Sequence, residues 1–310
     1  MGLDFNGARF LLYAHRLGIS FEQTAMIGRQ SLDLTKAELS KSLADFGYGI
    51  DDELINKIFT KDRGYAEPLL SYLGAQEIHS FDFSTYEGAT HLHDMNRDIS
   101  PQFMEKYSVV LDGGSLEHVF NFPVAIRNCM QMLRMGGHYL GISPANNFMG
   151  HGFYQFSPEL YFSVFNQENG FELIGLIAFE DRPGGTWFSV RNPKEVKGRV
   201  MLVNNEPVYL LIVARRHTKT AIFDSTPQQS DYIATWDPDK KLSELTPSNL
   251  PQEGKRISLR NWLKSRLPFP IRYLIQRTIQ GDGFNHRFFS PMKPTAVKRL
   301  HEGYQQNAEP

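Results

Sequence analysis

The feature that most constrains the fold of this sequence is a repeated alternation of short apolar runs with helix-like stretches. Apolar runs of this kind, bounded by polar or glycine-containing turns, are typical of buried strands. They predict strands at 24–27, 77–83, 90–95, 107–111, 138–142, 171–179 and 208–214. Helices are predicted between them at 36–46, 52–59, 67–73, 124–133 and 158–165. Strands that alternate with helices indicate an α/β fold, a Rossmann-like, mostly parallel sheet with helices on both faces.

The last two predicted strands are joined differently from the others. Little helix lies between them, and Gly184-Gly185 and Asn204-Asn205 mark turns there instead. Such a hairpin-like excursion predicts an antiparallel last strand.

Composition and length predict one α/β core followed by two C-terminal segments. A chain of 310 residues suits one large domain or two small ones. We expect an α/β domain at 1–217, a linker at 218–254 that is rich in Pro, Ser, Gln and Asp, and a basic, helical C-terminal extension at 255–310. The N-terminus lacks the apolar core of a signal peptide, and no apolar run reaches the ~20 residues of a membrane span, so we expect a cytoplasmic protein.

Charge argues against a nucleic-acid partner but leaves one basic segment to explain. The formal net charge is −1, so no overall field attracts the chain to polyanions. Between Glu253 and Asp282, however, the sequence has seven basic residues and no acidic ones. Two interpretations stay open: a cationic pair of surface helices packed on the core, or an amphipathic element at 255–280 that contacts an anionic membrane or a polyanionic substrate.

Polar residues follow each of the first five predicted strands. In an open α/β sheet, ligands bind outside the carboxyl ends of the strands. If these strands are parallel, their polar residues share one edge of the sheet and predict one binding site there. The clusters are 28–31, 82–87, 93–96, 112–118 and 143–154.

The middle of the chain resembles the class I S-adenosylmethionine-dependent methyltransferases. The resemblance is strongest over 107–143, where an apolar strand ends at Asp112, Leu116-Glu117-His118-Val119 follows, and Leu133-Arg134-Met135-Gly136-Gly137 precedes the next strand. In that family the same order is a strand ending in an acid, an "LEHV"-like turn, a helix and an "L-x-x-G-G" segment. The resemblance extends over roughly 21–216 and implies a seven-stranded sheet whose seventh strand is antiparallel.

The resemblance also implies a cofactor, S-adenosyl-L-methionine, and a set of residues that bind it. Gly28 matches the first-strand turn, Asp82 the acid that accepts hydrogen bonds from the ribose hydroxyls, and Asp94 the acid near the adenine amine. Asp112 and Gly113 fall near the sulfonium. The full predicted set is Gly28, Arg29, Gln30, Asp82, Phe83, Asp94, Met95, Asp112 and Gly113. A structural alternative stays open, because an aspartate after a strand also caps the turn that follows.

The first turn departs from the family pattern. The family has G-x-G-x-G after an acid, whereas this chain has Met26-Ile27-Gly28-Arg29-Gln30. Arg29 or Gln30 could instead bind the cofactor carboxylate, since arginine binds carboxylates through two parallel hydrogen bonds. The alternative is a non-catalytic binding or scaffold protein with a remodelled cofactor turn. A nicotinamide-dependent oxidoreductase is disfavoured because the chain has no G-x-G-x-x-G fingerprint.

Three residues are candidates for catalysis: His118, His151 and Glu117. Histidine is the usual general base near pH 7, and Glu117 could orient a histidine or replace it. A structural role for His151 stays equally open. No metal site is expected from the sequence His91-Leu92-His93-Asp94. The predicted function is methyl transfer, as O-methylation, to a small-molecule or glycan-like acceptor. The sequence gives neither the acceptor nor the oligomeric state.

Overall fold

The predicted strands assemble into one mixed sheet. The computed structural model describes residues 2–50, 52–59, 64–196, 198–230, 268, 271, 283–296 and 299. Its strands are β1 (Gly2–Leu3), β2 (Gln23–Ile27), β3 (Ser31–Leu32), β4 (Glu77–Asp82), β5 (His91–Leu92), β6 (Tyr107–Gly113), β7 (Leu133–Asn146), β8 (Phe171–Glu180), β9 (Trp187–Val190), β10 (Val208–Arg216) and β11 (Phe289–Met292). β1 and β3 form a separate two-stranded parallel pair.

The order of the main sheet is β11-β9-β8-β10-β7-β6-β2-β4-β5. β5, β4, β2, β6 and β7 are parallel. β10 runs antiparallel between β7 and β8. The mostly parallel sheet and its antiparallel last strand are therefore confirmed. The predicted count of seven strands is too low, since the described residues form nine strands in this sheet; β9 and β11 extend it beyond β8.

Helices cover both faces of the sheet, as predicted. They are α1 (Phe5–Arg16), α2 (Lys36–Asp45), α3 (Asp52–Phe59), α4 (Glu67–Tyr72), α5 (Phe122–Met132), α6 (Pro158–Val164) and α7 (Pro193–Val196). Successive strand residues point to opposite faces. Val109 and Leu111 pack with α1, α2 and α4, whereas Val110 packs with α5 and α6. The sheet therefore separates two apolar cores.

Helix α1 was not predicted. It begins after Asp4, whose carboxylate accepts a hydrogen bond from the backbone N of Gly7 at 2.8 Å. This is N-capping by a preferred residue. Most of the helix is buried, including Phe10, Leu11 and Leu12. α1 therefore provides much of the core on its face of the sheet.

The C-terminal segments are described only in part. Residues 289–292 form β11, which pairs antiparallel with β9, so part of the predicted helical extension is a strand of the main sheet. From the predicted linker, Phe223 donates its backbone N to Oδ1 of Asn169 at 2.9 Å.

Apart from 268 and 271, the segment 255–280 lies outside the described residues. Within the described part of the chain, no helix is long and apolar enough to cross a membrane.

Candidate functional site

A cavity of about 420 Å³ lies at the carboxyl ends of the parallel strands. Its size is within the range of small-molecule sites, and its place at the sheet edge is where open α/β folds bind ligands. It brings together eight of the predicted site residues: Gly28, Arg29, Gln30, Asp82, Phe83, Asp94, Met95 and His118. His93, Asn96 and Ser115 also line it, although they were not in the predicted set.

Gly28 allows the first turn to lie close to the turn after β6. Its φ of 70° is in the left-handed region, which glycine adopts without strain. A Cβ atom on it would lie 2.9 Å from the hydroxyl oxygen of Ser115. Ser115 donates this hydroxyl to the backbone O of Ile27 at 2.6 Å. A larger residue at 28 would therefore both strain the backbone and separate the two turns.

Arg29 is bound by protein groups on several sides. Its Nε donates to Oε1 of Glu67 at 2.6 Å and its Nη1 donates to the backbone O of Glu87 at 2.9 Å. The guanidinium also lies over the ring of Tyr65, 3.8 Å from the centroid, in a cation–π contact. Arg29 is thus held at the wall of the cavity, and the adjacent Glu67 partly compensates its charge.

The side chain of Gln30 lies inside the turn at 28–30, which follows β2. It is fully buried, and its Nε2 donates to the backbone O of Ile27 at 2.9 Å. Its Oε1 has no hydrogen-bond partner among the described residues. This oxygen occupies the space that a Cβ on Gly113 would need. An unpaired buried amide oxygen is costly, so the side chain of Gln30 is held in this turn at a cost in free energy.

Asp82 and Asp94 combine turn formation with exposure to the cavity. Oδ1 of Asp82 accepts a hydrogen bond from the backbone N of Ser84 at 3.1 Å. Oδ1 of Asp94 accepts one from the backbone N of Asn96 at 3.0 Å and one from its side-chain Nδ2 at 2.7 Å. The side-chain hydrogen bond from Asn96 lowers the pKa of Asp94. Both carboxylates are therefore held in place, and both line the cavity.

Asp112 and Gly113 do not line the cavity. The carboxylate of Asp112 is fully buried and accepts hydrogen bonds from the backbone N of Ser115 at 2.8 Å and from the hydroxyl of Tyr139 at 3.0 Å. Burial raises the pKa of Asp112. This aspartate therefore holds the turn after β6, and the described geometry gives it no direct path to a ligand in the cavity.

Glu117, His118 and His151 form a cluster at the edge of the cavity. One ligand atom from each lies within 4.8 Å of the others. Oε1 of Glu117 is 3.4 Å from Nε2 of His151, and the two imidazole rings are 5.0 Å apart between centroids. The Glu117 side chain is fully buried, and burial followed by the charge of Asp112 raises its pKa. The structure thus brings all three candidate catalytic residues together.

A glycine-flanked loop holds His151 against Glu117. The backbone O of Glu117 accepts hydrogen bonds from the N of Phe153 at 2.8 Å and from the N of Tyr154 at 3.3 Å. Gly152 has a φ of 70°, and a Cβ on it would lie 2.9 Å from that same oxygen. The close approach of the loop therefore depends on a glycine at 152.

Exposed aromatic residues surround the cluster. Phe120 is 72% exposed and Phe153 is 65% exposed, and their rings meet edge to face at 5.8 Å. The hydroxyl of Tyr154 donates to the backbone O of Phe120 at 2.6 Å, which fixes this wall. Large exposed aromatic side chains beside a polar cluster are typical of a ligand-binding surface.

A larger cavity, of about 820 Å³, lies at the opposite end of the sheet. It is lined by the start of β8 and the end of β10, and its residues include Glu168, Lys194 and His217. Arg216 lines it too, but donates to the backbone O of Leu133 and to Glu105. The smaller cavity is the better candidate, since it lies at the strand carboxyl ends and contains the polar clusters.

No protein-family model matches this chain, and no curated protein matches it. Solved structures are similar in fold at low sequence identity. A protein from Listeria monocytogenes described as an S-adenosylmethionine-dependent methyltransferase is 14% identical, with a TM-score of 0.36 over 67% of this chain and 99% of that one. The Burkholderia thailandensis 1,6-didemethyltoxoflavin-N1-methyltransferase, solved with S-adenosylhomocysteine, is 12% identical, with a TM-score of 0.37 over 69% of this chain and 78% of that one.

A further similar structure has a different activity. The [4+2]-cyclase SpnF is 12% identical, with a TM-score of 0.38 over 69% of this chain and 82% of that one. Because these TM-scores are below 0.5, the fold assignment rests on the strand order of this chain itself. That order has the mostly parallel sheet and antiparallel last strand that the methyltransferase resemblance implies.

Proposed function

We propose that this chain is an S-adenosylmethionine-dependent methyltransferase that transfers the methyl group to an oxygen of a small-molecule or glycan-like acceptor. The observation that carries the proposal is the position of the Glu117-His118-His151 cluster. His118 lines the cavity that also contains Asp82 and Asp94. A methyl donor in that cavity would therefore lie beside groups that can bind and deprotonate an acceptor.

The cavity offers matching groups for the ribose, the adenine amine and the methionine part of the cofactor. The carboxylate of Asp82 can accept hydrogen bonds from both ribose hydroxyls, and Asp94 can accept one from the adenine amine. Phe83 and Met95 adjoin these two acids and supply apolar contact. The tight turn at Gly28 lets backbone atoms approach the methionine part.

Methyl transfer needs positioning more than acid–base chemistry, because the sulfonium already activates the methyl group. Holding donor and acceptor in line provides most of the acceleration. The S–CH₃ bond breaks as the O–CH₃ bond forms, and its electron pair remains on sulfur. The acceptor hydroxyl loses a proton, for which an imidazole nitrogen of His118 or His151 is a suitable base. Glu117, buried behind His151, would orient that ring.

The aromatic wall favours an acceptor with a flat or apolar face. The rings of Phe120 and Phe153 are exposed beside the cluster. Aromatic rings provide apolar contact to planar molecules and to the apolar face of a sugar. This wall supports a small aromatic or glycan-like acceptor, held with one hydroxyl towards His118 and His151.

The proposal is tested by titration calorimetry of the full chain with S-adenosylhomocysteine. We expect binding by the wild type, and a dissociation constant raised by about 10-fold to 100-fold in Asp82→Ala, because a hydrogen bond to a charged group contributes about 1.5–3 kcal/mol. The matched control is Asp224→Ala, an exposed aspartate outside the cavity, which should bind like the wild type. Equal affinity in Asp82→Ala and wild type would contradict the proposed binding mode.

A second candidate, a non-catalytic binding protein on the same fold, is favoured by the first turn. Glu67 pairs with Arg29, and the side chain of Gln30 fills space that glycines leave open in the family pattern. This candidate predicts no heat of binding for S-adenosylhomocysteine at millimolar concentration. Its partner would then contact the basic segment 255–280, and deletion of that segment, which leaves β11 in place, would abolish the interaction.

A further inference from the structure

We propose that Glu117, His118 and His151 bind one divalent transition-metal ion beside the cofactor cavity. All three proposed ligands of the ion are residues that the structure describes. Its role in methyl transfer, in contrast, rests on the function proposed above. The sequence led to the opposite expectation because it drew attention to His91 and His93, whereas Glu117 and His151 meet only through the folded loop.

The separation of the ligand atoms fits one ion. Zinc binds imidazole nitrogen and carboxylate oxygen at about 2.0–2.2 Å, so two ligands of a tetrahedral ion lie about 3.4 Å apart. Oε1 of Glu117 and Nε2 of His151 are 3.4 Å apart. The third ligand atom, on His118, lies within 4.8 Å of both. The ring of His118 is exposed, so a small rotation can bring its nitrogen to the same ion.

Glu117 has the environment of a metal ligand. Its side chain is fully buried, and neither carboxylate oxygen accepts a hydrogen bond from the described residues. An isolated buried carboxylate is very costly unless it is neutralised, paired or bound to a metal. Asp112, the other buried acid nearby, is satisfied by hydrogen bonds from Ser115 and Tyr139. Asp112 thus has hydrogen-bond donors and Glu117 has none, which supports a cation as the partner of the Glu117 carboxylate.

The backbone around the cluster holds the ligands in place. The carbonyl of Glu117 binds the loop that carries His151 through the amides of Phe153 and Tyr154. Gly152 permits this contact, since a Cβ there would lie 2.9 Å from the carbonyl oxygen. Phe148 packs against the ring of His151, with centroids 5.6 Å apart, and against Tyr209 at 4.5 Å. Two of the three ligands are therefore fixed relative to each other before any ion binds.

The ligand set favours a first-row transition metal over magnesium or calcium. Imidazole suits zinc, copper, iron and nickel, whereas magnesium and calcium prefer oxygen ligands. Three protein ligands also leave at least one coordination position open, which is the arrangement of catalytic rather than structural sites. His118 also lines the cofactor cavity, so the proposed ion would lie beside that cavity.

With the ion bound, His118 and His151 would be ligands rather than the base, and the ion would activate the acceptor hydroxyl in their place. Cations of this type greatly lower the pKa of a bound O–H group, so the acceptor oxygen would be an effective nucleophile at neutral pH. Its proton passes to solvent, the methyl group passes from sulfur to oxygen, and the sulfur keeps the bonding electrons. No oxidant or reductant is needed. The acceptor expected is therefore a hydroxyl compound whose oxygen binds the ion directly.

The test is Co²⁺ binding to the full chain after treatment with a chelator, followed by visible absorption and calorimetry. We expect one Co²⁺ per chain, d–d absorption bands of a low-coordinate N/O site, and displacement by Zn²⁺. Glu117→Gln and His151→Ala should each weaken binding at least 100-fold. The control pair, Glu168→Gln and His217→Ala, replaces the same residue types in the cavity at the opposite end of the sheet and should bind Co²⁺ like the wild type.

Two outcomes would overturn the metal site: no Co²⁺ binding at millimolar concentration, or equal binding in wild type and both cluster variants. Glu117→Gln preserves side-chain shape, and thermal unfolding would verify that each variant is folded. Titration with S-adenosylhomocysteine separates this proposal from the previous one. A protein that binds the cofactor product but not Co²⁺ keeps the proposed function and leaves the cluster as a metal-free histidine–carboxylate pair.

Discussion

Acidification is expected to weaken the fold through one buried histidine, His138. This residue lies on β7, opposite Arg215 of β10 and Val109 of β6. It is only 9% exposed, and its Nε2 has no hydrogen-bond partner among the described residues. Burial, and to a smaller extent the charge of Arg215, lowers the pKa of His138 to about 4. The folded protein therefore keeps this imidazole neutral well below the pH at which the unfolded chain protonates it.

The direction and size of the effect follow from proton linkage. Between about pH 6.5 and pH 4 the unfolded chain binds the extra proton and the folded chain does not, so the free energy of unfolding falls as pH falls through this range. With these two pKa values, acidification from pH 7 to pH 4.5 should cost about 2 kcal/mol through His138 alone. Nearly all of this loss occurs below pH 6.5.

The assay is urea unfolding of wild type and His138→Gln at pH 7 and pH 4.5. We expect the variant to lose about 2 kcal/mol less than the wild type on acidification. Buried acids such as Asp112 contribute equally to both proteins and cancel in the comparison. His217→Gln, a change at an exposed histidine, should leave the acid sensitivity unaltered. Equal losses in wild type and His138→Gln would refute the argument.

Two further predictions concern backbone geometry and helix capping. Gly152→Ala should lower the free energy of unfolding by about 1–3 kcal/mol, because the left-handed φ and the contact with the carbonyl of Glu117 disfavour a Cβ. In urea unfolding Gly150→Ala is the control, since a Cβ at 150 meets nothing within 4 Å; similar losses in both variants would contradict this explanation. Thr35→Ala should cost about 1 kcal/mol in the same assay, because Thr35 and Glu38 form a capping box at the start of α2. A change below about 0.2 kcal/mol would show that this cap contributes nothing.

The sequence was sufficient for the central sheet but not for its edges. Strands such as β6 are buried on both faces, so they are apolar throughout and easily predicted. β9 and β11 are short, and β11 pairs with β9 from a point about 100 residues further along the chain. Helix α1 was missed for another reason. Most of its residues are buried, and a short apolar segment cannot be assigned to a helix or a strand by periodicity alone.

The sequence predicted which residues lie at the strand ends but not the direction in which each side chain points. Parallel strands bring their carboxyl ends to one edge, which is why Asp82 and Asp94 line the same cavity. A shift of one residue along a strand turns a side chain from the cavity to the core, and the sequence does not fix the position of a strand end to one residue. Asp112 points inward and binds Tyr139. The contact between Glu117 and His151 depends on the path of a loop, which local sequence patterns do not specify.

The most direct test of the central claim is a crystal structure of the full chain grown with S-adenosylhomocysteine. We expect the ligand in the cavity of Gly28, Asp82 and Asp94, with its ribose hydroxyls on the carboxylate of Asp82 and its sulfur directed towards His118. A ligand in the opposite cavity, beside Glu168 and His217, would contradict the assignment of the site. So would a cavity that remains empty at a ligand concentration that saturates known methyltransferases.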